Sequence, residues 1–279
     1  EAWRDRARPR PNLKEVRESL AFFEKVRRVL GRRRLVVDAA GGHGAVALAF
    51  AAAGRAERAV VADVRCPPSF ERLRSAWLPL SAASGSASHE AVDVGHGPWL
   101  RGLLEREGVA PSEAAVVSVH ACGVVTDTII DSCIHAGVDF AVMPCCHGRG
   151  RDPLHQTLRD AAGTLGVPLA VATDLARLGA ITARGYRAKV RRVDPDITPE
   201  NTILIGLKAD EEAGEEAAAG QGRVLGALSE QWRQFESRNR RGLQLSVGAA
   251  RPPARGGESS GRPRARHEAS EAGQAAGEK

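Results

Sequence analysis

The chain has 279 residues, 43 % of them hydrophobic and 27 % charged, which is enough for one full α/β domain plus tails. It contains no run of about 18 apolar residues, so no membrane-spanning helix is expected. The net charge of +6 permits nucleic-acid binding without requiring it, because part of it comes from an arginine-rich tail. Five cysteines form no disulfide-like framework, which points to a reducing, intracellular compartment, the cytoplasm first. The chain begins at Glu1 without an apolar signal core, as a fragment or a processed chain would.

Residues 1–34 read as a basic segment followed by a helix, with Leu13, Val16, Leu20, Phe23, Val26 and Leu30 as one apolar stripe. Arg27, Arg28, Arg32, Arg33 and Arg34 follow, either as a basic rim for RNA or as a solvated helix end. Leu35, Val36 and Val37 then form a strand buried on both faces. Asp38 closes it, and Ala40, Gly41, Gly42 and Gly44 make a sharp turn into a helix of small apolar residues, Ala45–Ala53. Backbone N–H groups at that helix start form a polar cradle.

Two cofactor classes use such a turn. Gly42-x-Gly44-x-x-Ala47 fits the dinucleotide fingerprint of an NAD-type oxidoreductase. A carboxylate at Asp38, however, repels a pyrophosphate and suits a cationic amine, such as the α-amino group of S-adenosylmethionine. A tight turn without ligand is the third reading.

The second strand, Ala59–Val64, carries Asp63, 25 residues after Asp38, at the spacing of an acid that binds ribose hydroxyls. After Cys66-Pro67-Pro68-Ser69, Phe70–Leu80 reads as a helix and 81–88 as a serine-rich loop. His89–Val94 is the third strand, with Asp93 either an adenine ligand or a turn aspartate. Ala114–Val119 is the fourth, running into His120-Ala121-Cys122-Gly123-Val124-Val125-Thr126-Asp127 and a helix from Thr128 to Ala136. Asp139–Met143 is the fifth, running into Pro144-Cys145-Cys146-His147-Gly148. Helices over 153–164 and 168–183, then strands Ala188–Val193 and Thr202–Leu207, complete a domain over 35–208. Strands alternating with helices and ending in a strand pair give a seven-stranded, mostly parallel sheet with one antiparallel strand and helices on both faces. An acidic linker and an amphipathic helix (Val224, Leu225, Leu228, Trp232, Phe235) occupy 209–248, offering a protein-docking face over 223–237, and 249–279 has the composition of a disordered tail.

His120, Cys122, Asp127, Cys145, Cys146 and His147 gather at the reactive end if the fourth and fifth strands are neighbours. Four chemistries compete for them: a zinc site, which lacks a C-x₂-C pair; a nucleophilic cysteine; a histidine base for a hydroxyl or amine; and plain packing with hydrogen bonds to backbone. No N/D-P-P-Y motif follows the fourth strand, which argues against planar amine acceptors.

The ordered boxes His120-x-Cys122-Gly123-x-x-Thr126-Asp127 and Pro144-Cys145-Cys146, with the Asp38-x-Ala40-x-Gly42-x-Gly44 turn, Asp63-Val64-Arg65-Cys66-Pro67-Pro68-Ser69 and Ile197-Thr198-Pro199-Glu200-Asn201, resemble a class I methyltransferase-domain family over residues 12–208. They are distantly similar to tRNA 2′-O-methyltransferases, without the Cys/His zinc-finger segment of that group. The resemblance implies a Rossmann-like fold and S-adenosylmethionine as cofactor. Asp38, Ala40, Gly41, Gly42, Gly44, Asp63 and Asp93 would then hold the cofactor, with the two Cys/His boxes on the acceptor side and no resident metal. RNA is the first acceptor and partner candidate, with a protein side chain or small molecule next. The rivals are a methyltransferase fold that binds without turnover and the NAD-type enzyme.

Overall fold

A seven-stranded sheet in the order β3-β2-β1-β4-β5-β7-β6 forms the centre of the computed structural model, which describes residues 13–121, 123–145, 147, 153–199 and 201–209. The strands are β1 (Arg33–Ala39), β2 (Ala56–Asp63), β3 (Ser86–Ala91), β4 (Ala114–Val119), β5 (Asp139–Met143), β6 (Tyr186–Arg192) and β7 (Thr202–Lys208). The first five pair in parallel, and β7 lies antiparallel between β5 and β6. This is the Rossmann-like, mostly parallel seven-stranded sheet expected from the sequence, with its one antiparallel strand.

Among the described residues seven α-helices flank it: α1 (Leu13–Leu30), α2 (Ala45–Ala52), α3 (Pro68–Trp77), α4 (Trp99–Glu107), α5 (Val124–Ala136), α6 (Pro153–Leu165) and α7 (Leu169–Ala183). Alternate strand residues feed two cores, as the period of two requires. Val36, Ala59, Val61, Val117 and Ile205 pack against Phe22, Phe23, Phe50 and Phe70 from α1, α2 and α3. Leu35, Val37, Val60, Val116 and Val142 pack against Leu100, Leu103, Ile129 and Ile181 from α4, α5 and α7. Seven of the eight residues of α2 are buried, which its alanine-rich sequence permits by letting the helix lie close to the sheet.

Several boundaries differ from the sequence reading. Strand β3 starts at Ser86, inside the stretch read as loop, and ends at Ala91, so Asp93 lies beyond it. Helix α5 starts four residues early, at Val124. Helix α4 is absent from the sequence reading, although Trp99, Leu100, Leu103 and Leu104 supply its buried stripe. The stripe of α1 is rotated from the one expected: Leu13 and Leu20 are exposed, whereas Glu18, Ser19 and Phe22 are buried. Residues 1–12, Cys122, Cys146, Gly148–Asp152, Glu200 and everything from 210 lie outside the described residues, and with them the linker, the 223–237 helix and the tail. Among the described residues no single helix is long and apolar enough to cross a membrane.

Candidate functional site: a cofactor cleft at the carboxyl edge

The sheet order reverses between β1 and β4: from β1 the chain moves outward to β2, then returns to β4 on the other side. Such a switch point opens a crevice at the carboxyl ends of the strands. The cleft found there is lined by Asp38 and the Ala40–His43 turn after β1, by Ala45 and Val46 of α2, by Val119 and His120 at the end of β4, and by Glu15, Val16 and Ser19 of α1.

Asp38 is the floor of this cleft, with only 1 % of its surface exposed. Its Oδ2 accepts the Ala47 N–H of α2 at 3.1 Å, whereas Oδ1 is buried without a hydrogen-bond partner. Burial pushes the carboxyl up to about 7; the Ala47 N–H opposes the rise and the Asp63 charge adds to it. A buried carboxylate oxygen with nothing to accept from calls for a donor brought by a ligand, a cationic one above all.

The turn is shaped around this carboxylate. A Cβ on Gly41 would come within 2.6 Å of Asp38 Cγ, so only glycine lets the chain fold over it. Gly44 sits at φ +72, and a Cβ there would meet Val61 at 2.7 Å and Phe70 at 2.9 Å. Gly42 adopts φ +50 and its missing side chain faces open space. Ala40 is left-handed as well, at φ 53, an uncommon conformation for a residue with a Cβ. Its N–H donates to Ala62 O at 2.8 Å, which fastens the start of the turn to β2. Asp63, at the end of β2, accepts the Gly42 N–H at 3.0 Å on Oδ2 and the Arg65 N–H at 3.2 Å on Oδ1. The two acids read from the sequence thus bracket one turn, from below and from the side. Asp93 does not line the cleft: its exposed carboxylate accepts the Gly95 N–H at 2.9 Å and faces His96 Nδ1 at 2.9 Å, and these contacts hold it below the usual carboxylate range. These are the contacts of an aspartate in a turn.

At the rim, His120 is the second left-handed non-glycine residue, at φ 69. Its Nε2 lies 3.1 Å from Glu18 Oε2 of α1, and the Glu18 side chain is only 2 % exposed. Glu18 also meets Lys14 Nζ at 3.5 Å. A buried acid beside a histidine held in a rare backbone conformation is the kind of geometry found at working sites. His43 also lines the cleft; its Nδ1 is paired with the buried Ser69 Oγ, and burial lowers its pKa.

Two of the other box residues join a polar network with α7. Arg177 of α7 donates from Nε and Nη2 to the two oxygens of Asp127, at 2.7 and 3.1 Å, and from Nη1 to Asp174 Oδ1 at 3.3 Å. The same Asp174 oxygen lies 3.0 Å from His147 Nε2, and His147, Asp174 and Arg177 are all buried. Asp127 and His147 are therefore tied together through α7. Cys145 is half-buried, and Cys122 and Cys146 lie outside the described residues. Among the described residues no three His, Cys, Asp or Glu side chains form a group able to hold a metal ion.

No protein-family model matches the chain. It is 26 % identical over 121 residues to the human glutathione S-transferase C-terminal domain-containing protein, covering 33 % of this chain and 19 % of that one. To its Xenopus laevis counterpart it is 56 % identical over 32 residues, covering 12 % and 5 %. The chain thus spans about a fifth or less of the length of the curated relatives it matches. Similar solved structures include an O-methyltransferase family protein from Burkholderia thailandensis (16 % identity, 70 % of this chain and 57 % of that one, TM-score 0.41). Others are magnesium protoporphyrin IX methyltransferase from Synechocystis PCC 6803 with bound SAH (12 %, 75 % and 91 %, 0.42) and the B. subtilis M1A22 tRNA methyltransferase TrmK (12 %, 68 % and 67 %, 0.39).

Sequence reasoning missed Glu18, Ser19 and Glu15, because α1 read as a plain amphipathic stripe. The available signal was Glu18 and Ser19 falling between Val16 and Phe22, on the face that the buried aromatics define. Asp174 and Arg177 were legible only as polar residues within an otherwise apolar helix.

Proposed function

We propose that the chain is an S-adenosylmethionine-dependent methyltransferase. The observation that carries this reading is Asp38: a buried carboxylate with one oxygen on the α2 N-terminus and the other orphaned in the cleft. That arrangement disfavours NAD, because the carboxylate takes an N–H of the helix start on which a pyrophosphate would rest. It suits an amino group. Asp38 would hold the cofactor's α-amino group and Asp63 its ribose hydroxyls, with the Gly41–Gly42 backbone closing over it. When bound, the cofactor supplies a methyl group already activated on a sulfonium.

The chain's own task is then to position an acceptor and take its proton. His120, on the cleft rim and oriented by Glu18, is placed to take a proton from a hydroxyl or amine. Asp127 and His147, held by Arg177 and Asp174, act as ties on the acceptor side rather than as bases. RNA is the acceptor class we favour, on charge and on the motif resemblance.

Isothermal titration with S-adenosylmethionine and, separately, NAD tests the class. Micromolar S-adenosylmethionine binding weakened at least about tenfold in Asp38→Asn, with no NAD binding, is the expected result. Unchanged binding in the variant would remove Asp38 as the amine ligand. NAD binding would restore the oxidoreductase. Binding of neither by a folded chain would leave a module without turnover.

A further inference from the structure

The arginines at the start of β1 are poor candidates for an RNA surface. Arg33 donates to Asp139 Oδ2 at 2.5 Å and to the carbonyls of Leu30 and Ser112, Arg34 meets Glu113 at 2.8 Å, and Arg32 meets Glu57 at 3.4 Å. They are neutralised, and they stand at the amino edge of the sheet, opposite the cleft.

A regular row of cations lies on β6. Arg187, Lys189 and Arg191 alternate along this strand and so share one face, about 6.8 Å apart. Among the described residues none of the three has an ion pair. Strand β7 alongside (Thr202–Lys208) carries no carboxylate, and among the described residues β6 has no strand on its other side. Because β7 is antiparallel to both β5 and β6, β6 runs the same way as β1, and its Arg191 end reaches the carboxyl edge where the cofactor cleft opens. Asp194 and Asp196 stand in the turn beyond it, the first accepting the Asp196 N–H at 3.0 Å, and neither pairs with the stripe.

We propose that the Arg187–Lys189–Arg191 face of β6 is a tracking surface for the phosphate backbone of RNA, leading toward the cleft. A row of evenly spaced like charges without counter-ions destabilises the free protein by self-repulsion, and a polyanion relieves that repulsion. Cations on an edge strand also guard against strand pairing, a role that the test below separates from RNA binding. A protein partner would require an apolar or aromatic anchor among the cations, and this face of β6 presents none. What the RNA is bound for rests on the methyltransferase reading; the binding itself does not.

The test is fluorescence anisotropy of the full chain with a labelled mixed-sequence 20-nucleotide single-stranded RNA, across a salt series. Two variants with equal charge loss are compared: Arg187→Gln/Lys189→Gln/Arg191→Gln, and Arg32→Gln/Arg33→Gln/Arg34→Gln at the amino edge. Expected are a loss of roughly ten- to thirtyfold and a salt slope lower by about 2 for the β6 variant alone. The proposal falls if wild type does not bind, if both variants lose equally, or if the β6 variant loses nothing. Tighter binding of polyglutamate or of phosphatidylserine vesicles than of RNA would overturn it too. So would intact RNA binding with new concentration-dependent oligomers, which would make the stripe an edge guard. Titrating the β6 variant with S-adenosylmethionine separates the two readings, because failure of the stripe leaves cofactor binding at the wild-type value.

Discussion

Asp38 ties stability to pH in a direction opposite to most aspartates. Its folded value of about 7 lies above the ordinary 3.8, so between roughly pH 4 and 7 the folded chain keeps a proton that the unfolded chain releases. The contribution is fully present below pH 4, is lost as pH rises through 7, and is flat above. Asp38→Asn keeps an acceptor for the Ala47 N–H and removes the titration. In urea unfolding it is expected to be more stable than wild type at pH 8, by on the order of a few kcal/mol, and nearly equal at pH 4.5. Ala40 stores a smaller strain. Ala40→Gly is expected to raise stability by about 1 kcal/mol in the same assay, since glycine adopts φ 53 without a Cβ penalty. Both residues were legible in the sequence because their roles follow from local chemistry: an acid at a strand end, then a turn. Glu18 was not, because its role depends on which way α1 rolls against the sheet, and Phe22 rather than Leu20 decides that.

Between elements, the firmest polar joint is α7 against α5 and the segment after β5. Arg177 satisfies Asp127 and Asp174 at once, and Asp174 and Arg177 are both under 10 % exposed. Arg177→Met leaves a buried carboxylate without its cation and should cost about 3 kcal/mol in chemical denaturation. Arg177→Lys should recover little of it, because an ammonium cannot fork onto both oxygens of Asp127. The boxes that hold Asp127 and His147 could be placed from sequence at the ends of neighbouring strands. The sequence carried no sign that a third element, α7, would claim both, because that contact spans 50 residues and leaves only one arginine and one aspartate in an apolar helix. Helix α4 shows the reverse case. Its stripe of Trp99, Leu100, Leu103 and Leu104 was visible, but the Gly-Pro approach to it reads as loop.

At the scale of the molecule, the sheet order was readable because buried apolar runs separated by helices admit few right-handed arrangements. Ligand linkage offers a global check on the cleft. S-adenosylmethionine at one hundred times its dissociation constant should stabilise the fold by about 2.7 kcal/mol. For a domain of this size that is a rise in Tm of about 5–10 °C. Differential scanning fluorimetry should show this rise for wild type, little of it for Asp38→Asn, and none with NAD. The position of α1 has a practical consequence. It precedes the first strand, so it looks dispensable, yet it supplies one wall of the cleft through Glu15, Val16 and Ser19 and the acid that holds His120. A shortened chain beginning at Arg32 would keep every strand and every glycine of the turn. It would also lay bare Phe23, Phe50 and the β4–β5 face, and it would open the cleft to bulk water on one side. Cutting into Leu13–Leu30 is therefore expected to cost the cleft its wall before it costs the sheet a strand.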